Sequence, residues 1–156
     1  MSENSTTCQP LKYNDVAVLK HMDMYQNIIT RMANNSSACK NWCIVLVSAL
    51  LAFIIDKGRV DVAWLGAIPI SMFYFLDAYY LGLEKQFRDA QKESAYKIRA
   101  SKFMLKDLFV IKADGTIPQQ MLKGFTSWAT WPVYCSLLLL LILAMFYTGT
   151  SLPGKS

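Results

Sequence analysis

Histidine occurs once in the 156 residues, as His21, far in sequence from the four cysteines, Cys8, Cys39, Cys43 and Cys135. That scarcity speaks against a metal centre, and no cofactor is expected. There is no nucleophile motif and no carboxylate pair on an assigned face, so the sequence offers no catalytic site and the chain is not expected to be an enzyme. Charge is sparse too: only 17% of residues are Asp, Glu, Lys or Arg, against 54% hydrophobic. Both figures depart from soluble averages in the direction of a membrane protein. The first 35 residues are polar to amphipathic and lack an apolar h-region, so no cleavable signal peptide is expected and the first crossing would itself direct insertion. Thiols set among apolar residues, as at Cys39, Cys43 and Cys135, usually act as small apolar side chains, so no disulfide framework is read.

What the chain does have is apolar blocks. Residues 1 to about 10 are polar. From about Asn14 to Met32, Val18, Met22, Tyr25, Ile29 and Met32 recur at steps of four, three, four and three, one stripe of an amphipathic helix. The polar run Asn34-Asn35-Ser36-Ser37 either breaks that helix or rides through it against tightly placed neighbours. The first crossing is expected at about Ala38 to Ile55, barely long enough for a hydrocarbon core of about 30 Å, with Lys40 snorkelling to the interface. Asp56-Lys57-Gly58-Arg59 makes a tight turn. The second crossing is expected at about Val62 to Leu83, with Asp61 as N-cap and a kink at Pro69. The third is expected at about Phe125 to Tyr147, with Trp128 and Trp131 at one interface and Tyr147 at the other. Asp114-Gly115 and Ile117-Pro118 mark a loop before it. Phe103, Leu105, Leu108, Phe109 and Ile111 form a hydrophobic piece that packs on the cytosolic helices or the membrane surface. His21 reads as an exposed or half-buried helix residue.

The expected fold is therefore an all-α integral membrane protein with three transmembrane helices and amphipathic cytosolic helical extensions, assembled as a homo-oligomer. It divides into an N-terminal cytosolic helix at 1–37, two crossings at 38–83, a basic cytosolic segment and loop at 84–124, a third crossing at 125–148 and a tail at 149–156. Nine Lys or Arg lie between Lys85 and Lys123, and four more are Lys12, Lys20, Arg31 and Lys40. The positive-inside rule places both regions in the cytoplasm and the C-terminus outside.

Two features bear on function. Asp77 stands in Met72-Phe-Tyr-Phe-Leu-Asp-Ala-Tyr-Tyr-Leu, inside the second crossing, where a carboxylate is costly. It reads either as a pore-lining or gating group, most simply as a ring from several copies, with Tyr80 and Ser71 beside it, or as a structural hydrogen bond to Tyr79, Tyr80 or another helix. Lys85, Arg88, Lys92, Arg99, Lys102 and Lys106 fall on one face if the second crossing continues as a helix. They read either as a face for a nucleotide or nucleic acid or as a solvated positive-inside face near anionic lipid. Glu84 with Arg88 and Glu93 with Lys97 have the favourable i,i+4 order. Gly149-Thr-Ser-Leu-Pro-Gly-Lys-Ser matches the phosphate-loop pattern literally, but it follows a membrane helix rather than a strand and has no helix after it, so nucleotide hydrolysis is rejected.

The stretch His21-Met-Asp-Met-Tyr-Gln-Asn-Ile-Ile-Thr-Arg-Met-Ala-Asn-Asn-Ser-Ser-Ala-Cys-Lys-Asn-Trp resembles the helix leading into the membrane in small bacterial SLATT-like and RipA-type proteins. Phe75-Leu-Asp-Ala-Tyr-Tyr-Leu-Gly-Leu-Glu-Lys-Gln-Phe-Arg-Asp resembles the exit of their second crossing. The resemblance is one of pattern and spans roughly residues 13 to 100. It implies a homo-oligomeric effector of anti-phage defence, of the kind found in Hailong systems, with a tetramer as the expected assembly. Such an effector opens a pore in the bacterial inner membrane in answer to a nucleotide or nucleic-acid signal, and its implied partner is a nucleotidyltransferase. Asp77, Tyr80, Phe87 and Arg88 are the positions that the resemblance marks.

Overall fold

The computed structural model describes residues 11–112 apart from 13, together with 119, 122 and 124–151. Three long helices dominate them: α1 (Val16–Lys57), α2 (Ala67–Arg99) and α3 (Trp131–Ser151). Short 3-10 turns stand at Val60–Gly66 and Leu105–Asp107. All three helices are long and apolar enough to cross a membrane, and only 22–28% of each apolar window is buried within the chain. Surfaces this apolar and this open need lipid or further protein around them. The chain is a multi-pass membrane protein.

α1 is one unbroken helix of 42 residues. It runs through Asn34–Ser37 because the buried residues keep one seam: Val18, His21, Tyr25, Ile29, Ser36, Cys39, Cys43, Val47 and Ile54. Their steps of three, four and seven form a heptad-like stripe, which two helices bury between them. Ser36, Cys39 and Cys43 are small, so α2 can approach closely there. The apolar stretch fills the second half of α1, residues 38–55, as the sequence indicates. Gly58 ends the helix in the left-handed region, at φ 65°, where glycine carries no Cβ penalty.

Two expectations for the second crossing are corrected. Asp61 caps nothing: it lies inside the 3-10 turn, and Arg59 holds its carboxylate at 2.7 and 2.9 Å. Pro69 does not kink a helix midway. It falls in the first turn of α2, where proline is tolerated, and the change from 3-10 to α winding lies just ahead of it. A third correction concerns α3, which begins at Trp131 rather than Phe125. Ser127 to Thr130 form turns, and the Ser127 carbonyl accepts the amides of Thr130 and Trp131 at 2.9 and 3.3 Å. Pro132 then starts the helix with φ already set.

α3 runs antiparallel to α2. Gly124 lies against Ala78, Tyr74 Oη donates to the Phe125 carbonyl at 2.9 Å, Tyr134 Oη donates to the Phe73 carbonyl at 3.2 Å, and Leu141 reaches Gly66 and Leu50. Cys43, Val47, Ile54, Ala63, Ile70, Tyr134, Leu137 and Leu141 form the core among the three helices. Past the level of Gly124, α1 and α2 continue together as a two-helix hairpin.

Gly124 tests this arrangement. A Cβ there would run into the backbone of Ala78, which cannot rotate aside, whereas one on Gly66 would meet only the side chains of Leu141 and Leu50. Gly124→Ala is expected to lower stability by about 1–3 kcal/mol, as overpacking does, and Gly66→Ala by less. Thermal unfolding of the two variants in one detergent compares them.

At the open end of this hairpin, its tip away from the turn at 58–66, the chain turns back. Ser101 takes φ 53°, Phe103 is 1% exposed, and the Leu11 amide donates to the Phe103 carbonyl at 2.9 Å. The basic face expected from Lys85 to Lys106 therefore ends at Arg99: Lys102 and Lys106 lie on the returning chain. Leu105 of the expected hydrophobic piece lies on the same returning chain and is 47% exposed. Cys8, Asp114-Gly115, Ile117-Pro118, Lys123 and residues 152–156 of the phosphate-loop match lie outside the described residues. Gly149 to Ser151 continue α3.

Candidate functional site

Asp77 is wholly buried, on the face of α2 turned to α1. Directly opposite stand Ser36 and Lys40, one helical turn apart. The Lys40 ammonium lies 2.7 Å from each carboxylate oxygen. Lys40 also donates to Ser36 Oγ at 3.0 Å, and Ser36 in turn donates to Asp77 Oδ1. Oδ1 thus takes both hydrogen bonds, while Oδ2 faces the ammonium without a well-directed one. Tyr134 of α3, whose hydroxyl bonds the backbone one turn earlier in α2, is near enough to feel the Asp77 charge. Three helices thus converge on one carboxylate. From Lys40 to Lys57 α1 rises about 26 Å, so the pair sits close to one edge of a bilayer core.

The other expected pore residues are not gathered here. Ser71 is exposed on the outer side of α2. Tyr80 is half-buried with its ring edge-on to Tyr79, the centroids 5.7 Å apart. Neither is hydrogen-bonded to Asp77 among the described residues. Lys40 does not snorkel freely as expected: its side chain is 19% exposed and its ammonium is committed to Asp77. The signal that would have found the pair is depth. A buried cation and a buried anion at matching heights on consecutive antiparallel helices each cost less together than apart.

A second polar cluster lies at the hairpin tip. His21 is wholly buried, contrary to its reading as an exposed or half-buried residue. Tyr25 and Phe109 stand edge-on to its ring and Phe103 is tilted against it, at 5.1, 6.5 and 5.3 Å between centroids. Its Nδ1 accepts the Phe109 amide at 3.1 Å, which fixes the neutral ring with the proton on Nε2. Nε2 has no partner among the described residues. Burial pushes the His21 pKa below its ordinary value, and Asp107 nearby opposes this. Phe109 adopts φ 59°, a left-handed conformation that such a side chain rarely takes, so the docked turn stores strain.

The basic face of α2 is largely self-compensated. Arg88 pairs with Glu84 at 2.7 Å, Lys92 with Asp89 at 3.1 Å, and Lys97 with Glu93 at 2.7 Å. The two i,i+4 pairs expected from the sequence are both present. Arg99 and Lys102 are exposed, and Lys85 and Phe87 are half-buried.

No protein-family model, curated protein or solved structure matches the chain.

Proposed function

We propose that several copies of this chain assemble as an ion-conducting effector in a bacterial inner membrane, gated from the hairpin end. In this reading the excess of Lys and Arg holds the N-terminus and the hairpin tip in the cytoplasm, and α3 ends outside. The Lys40–Asp77 pair carries the proposal. An ionisable pair buried among membrane helices is expensive to keep, and such groups mark function by default. Three helices enclose no path for ions, so conduction belongs to an oligomer, and the open flanks of all three spans leave room for neighbouring copies. Because Asp77 is turned toward Lys40 within its own protomer, its proposed role is a latch between α1 and α2 rather than a standing ring of charge. Ser71, on the outer side of α2, remains available to an axis between copies. The resemblance over residues 13–100 supports a tetramer acting in anti-phage defence, with a nucleotidyltransferase partner producing the signal.

A second reading has its own observation. Asp77 is satisfied by Lys40 and Ser36, which is all that a structural pair requires. A non-conducting anchor that recruits a soluble partner would need nothing more. Flux from liposomes that hold the purified chain separates the two. Conduction predicts dye-independent ion release that changes when Lys40→Met frees the carboxylate. An anchor predicts no release in any variant, together with a co-purifying soluble protein.

A further inference from the structure

α1 carries a second stripe, on the face turned away from α2. Asn34, Ala38, Asn41, Val45, Ser48 and Ala52 fall at steps of four, three, four, three and four, and all six are exposed. By helical geometry this stripe lies roughly 170° round α1 from the buried seam of Ser36, Cys39, Cys43, Val47 and Ile54. Bulky side chains border it, Leu46 and Phe53 on one side and Ile44 and Ile55 on the other, all between 42% and 58% exposed. The result is a shallow lengthwise groove with two amides and a hydroxyl on its floor. No charged residue interrupts it between Lys40 and Asp56. Its polar groups are unanswered within the chain: neither Asn41 nor Ser48 makes a side-chain hydrogen bond among the described residues. Ser136 of α3 is the contrast. It is exposed too, but its hydroxyl donates to the Val133 carbonyl at 2.7 Å and needs nothing from its surroundings. Ser48 stands about 12 Å along α1 from Lys40, in the middle of the span, where lipid tails supply neither donor nor acceptor.

We infer that copies of this chain meet along this groove, their α1 helices parallel and in register about a common axis, with Asn41 and Ser48 bonding their counterparts in the neighbouring copy. An amide both donates and accepts, so it pairs with its own kind. Copies inserted in one orientation carry Asn34, Asn41 and Ser48 at equal depth. A different membrane protein would have to present matching groups at three heights, which a second copy does by identity. The heptad spacing is that of parallel helices packed side by side, where a polar residue at every seventh position fixes register. Ala38 and Ala52 let the backbones approach, as small residues do between membrane helices. The inference rests on the proposal above only in taking several copies to assemble in one orientation. The contact itself needs no conduction.

The test is disulfide cross-linking of the full chain in liposomes, in a background with Cys8→Ser and Cys135→Ser. Cys39 and Cys43 are kept because both are buried. Asn41→Cys, Val45→Cys, Ser48→Cys and Ala52→Cys should each give linked dimers about tenfold faster than Leu46→Cys, Phe53→Cys or Ser71→Cys, since the bond forms only where Cβ atoms come within about 4.5 Å. Equal rates at all seven positions, the pattern of a face open to lipid, overturn the inference. So does fastest linkage at Ser71→Cys, which puts the axis on α2, or linkage of the stripe in native membranes only to a foreign chain. Asn41→Leu with Ser48→Leu should weaken association of labelled chains, read by energy transfer in the same liposomes, by about tenfold. Unchanged transfer overturns the hydrogen-bonded contact. Liposome flux on the same preparations separates the two proposals: stripe cross-links without flux keep the contact and remove conduction, and flux without stripe cross-links does the reverse.

Discussion

Lys40→Met is expected to destabilise the chain by about 3–5 kcal/mol, because it leaves the Asp77 carboxylate buried without its counter-charge. Asp77 is wholly enclosed, and Ser36 alone would have to replace an ammonium 2.7 Å away. Asp77→Leu should cost less than Lys40→Met. Lys40 is partly exposed and can extend toward the interface once released. The double variant Lys40→Met, Asp77→Leu should recover most of the loss, since an apolar pair of similar volume often replaces a buried ion pair at little net cost. Thermal unfolding of the four proteins in one detergent gives the coupling directly as a double-mutant cycle. If each single variant and the double variant melt alike, the two groups do not depend on each other, and the convergence of three helices on Asp77 is only steric.

Acidification is expected to undock the returning chain from α1. The His21 pKa is lowered from its ordinary 6.5 by burial, with Asp107 pulling the other way. The docked form therefore binds the proton less readily than the undocked form does. Docking is at full strength above the ordinary value, and it weakens as pH falls through that value toward the lowered one. Protonation also turns Nδ1 from acceptor to donor, so the Phe109 amide loses its partner. Losing a buried acceptor in this way costs about 1–3 kcal/mol. Hydrogen exchange at the Phe109 amide reads the change: protection factors should fall between pH 7.5 and pH 5.5, after correction for intrinsic rates. His21→Phe should fit among the aromatic rings yet leave that amide unprotected at both pH values. Unchanged protection in the native chain across this range would mean that another contact holds the turn.

The three crossings were legible because each is an apolar block, and membrane solvation demands such blocks. What escaped the sequence were partners distant along the chain. The polar run Asn34–Ser37 looked like a possible break because the residue that satisfies Ser36 is Asp77, 41 positions away. The cost of Asp77 is plain from its place in an apolar run, but Lys40 at the start of another run points as readily to the interface as to the carboxylate it meets. His21 is wholly buried, where the sequence points to an exposed or half-buried residue. Its acceptor role depends on a backbone amide 88 positions on, and no side-chain pattern announces a backbone amide. Pro69 and Pro132 were the opposite case. Their identity is plain, yet a proline alone does not say whether it kinks a helix or starts one, and both stand in the first turn of a helix. The spacing of Lys102 and Lys106 continues a helix that in fact stops at Arg99, since no glycine or proline marks its end and Ser101 takes the left-handed turn instead.

Between Val16 and Lys57 there is no glycine and no proline, and the winding never changes. Mechanically, that makes α1 a stiff rod about 63 Å long. His21 and Lys40 are 19 residues apart on it, so a tilt of about 10° about Lys40 would sweep His21 through about 5 Å. The rod converts angle into distance: a rocking motion too slight to disturb the buried ion pair would displace the aromatic ring cluster by more than the width of a methylene group. Paired spin labels on α1 and α2 would register such a motion most strongly at the end farthest from Lys57.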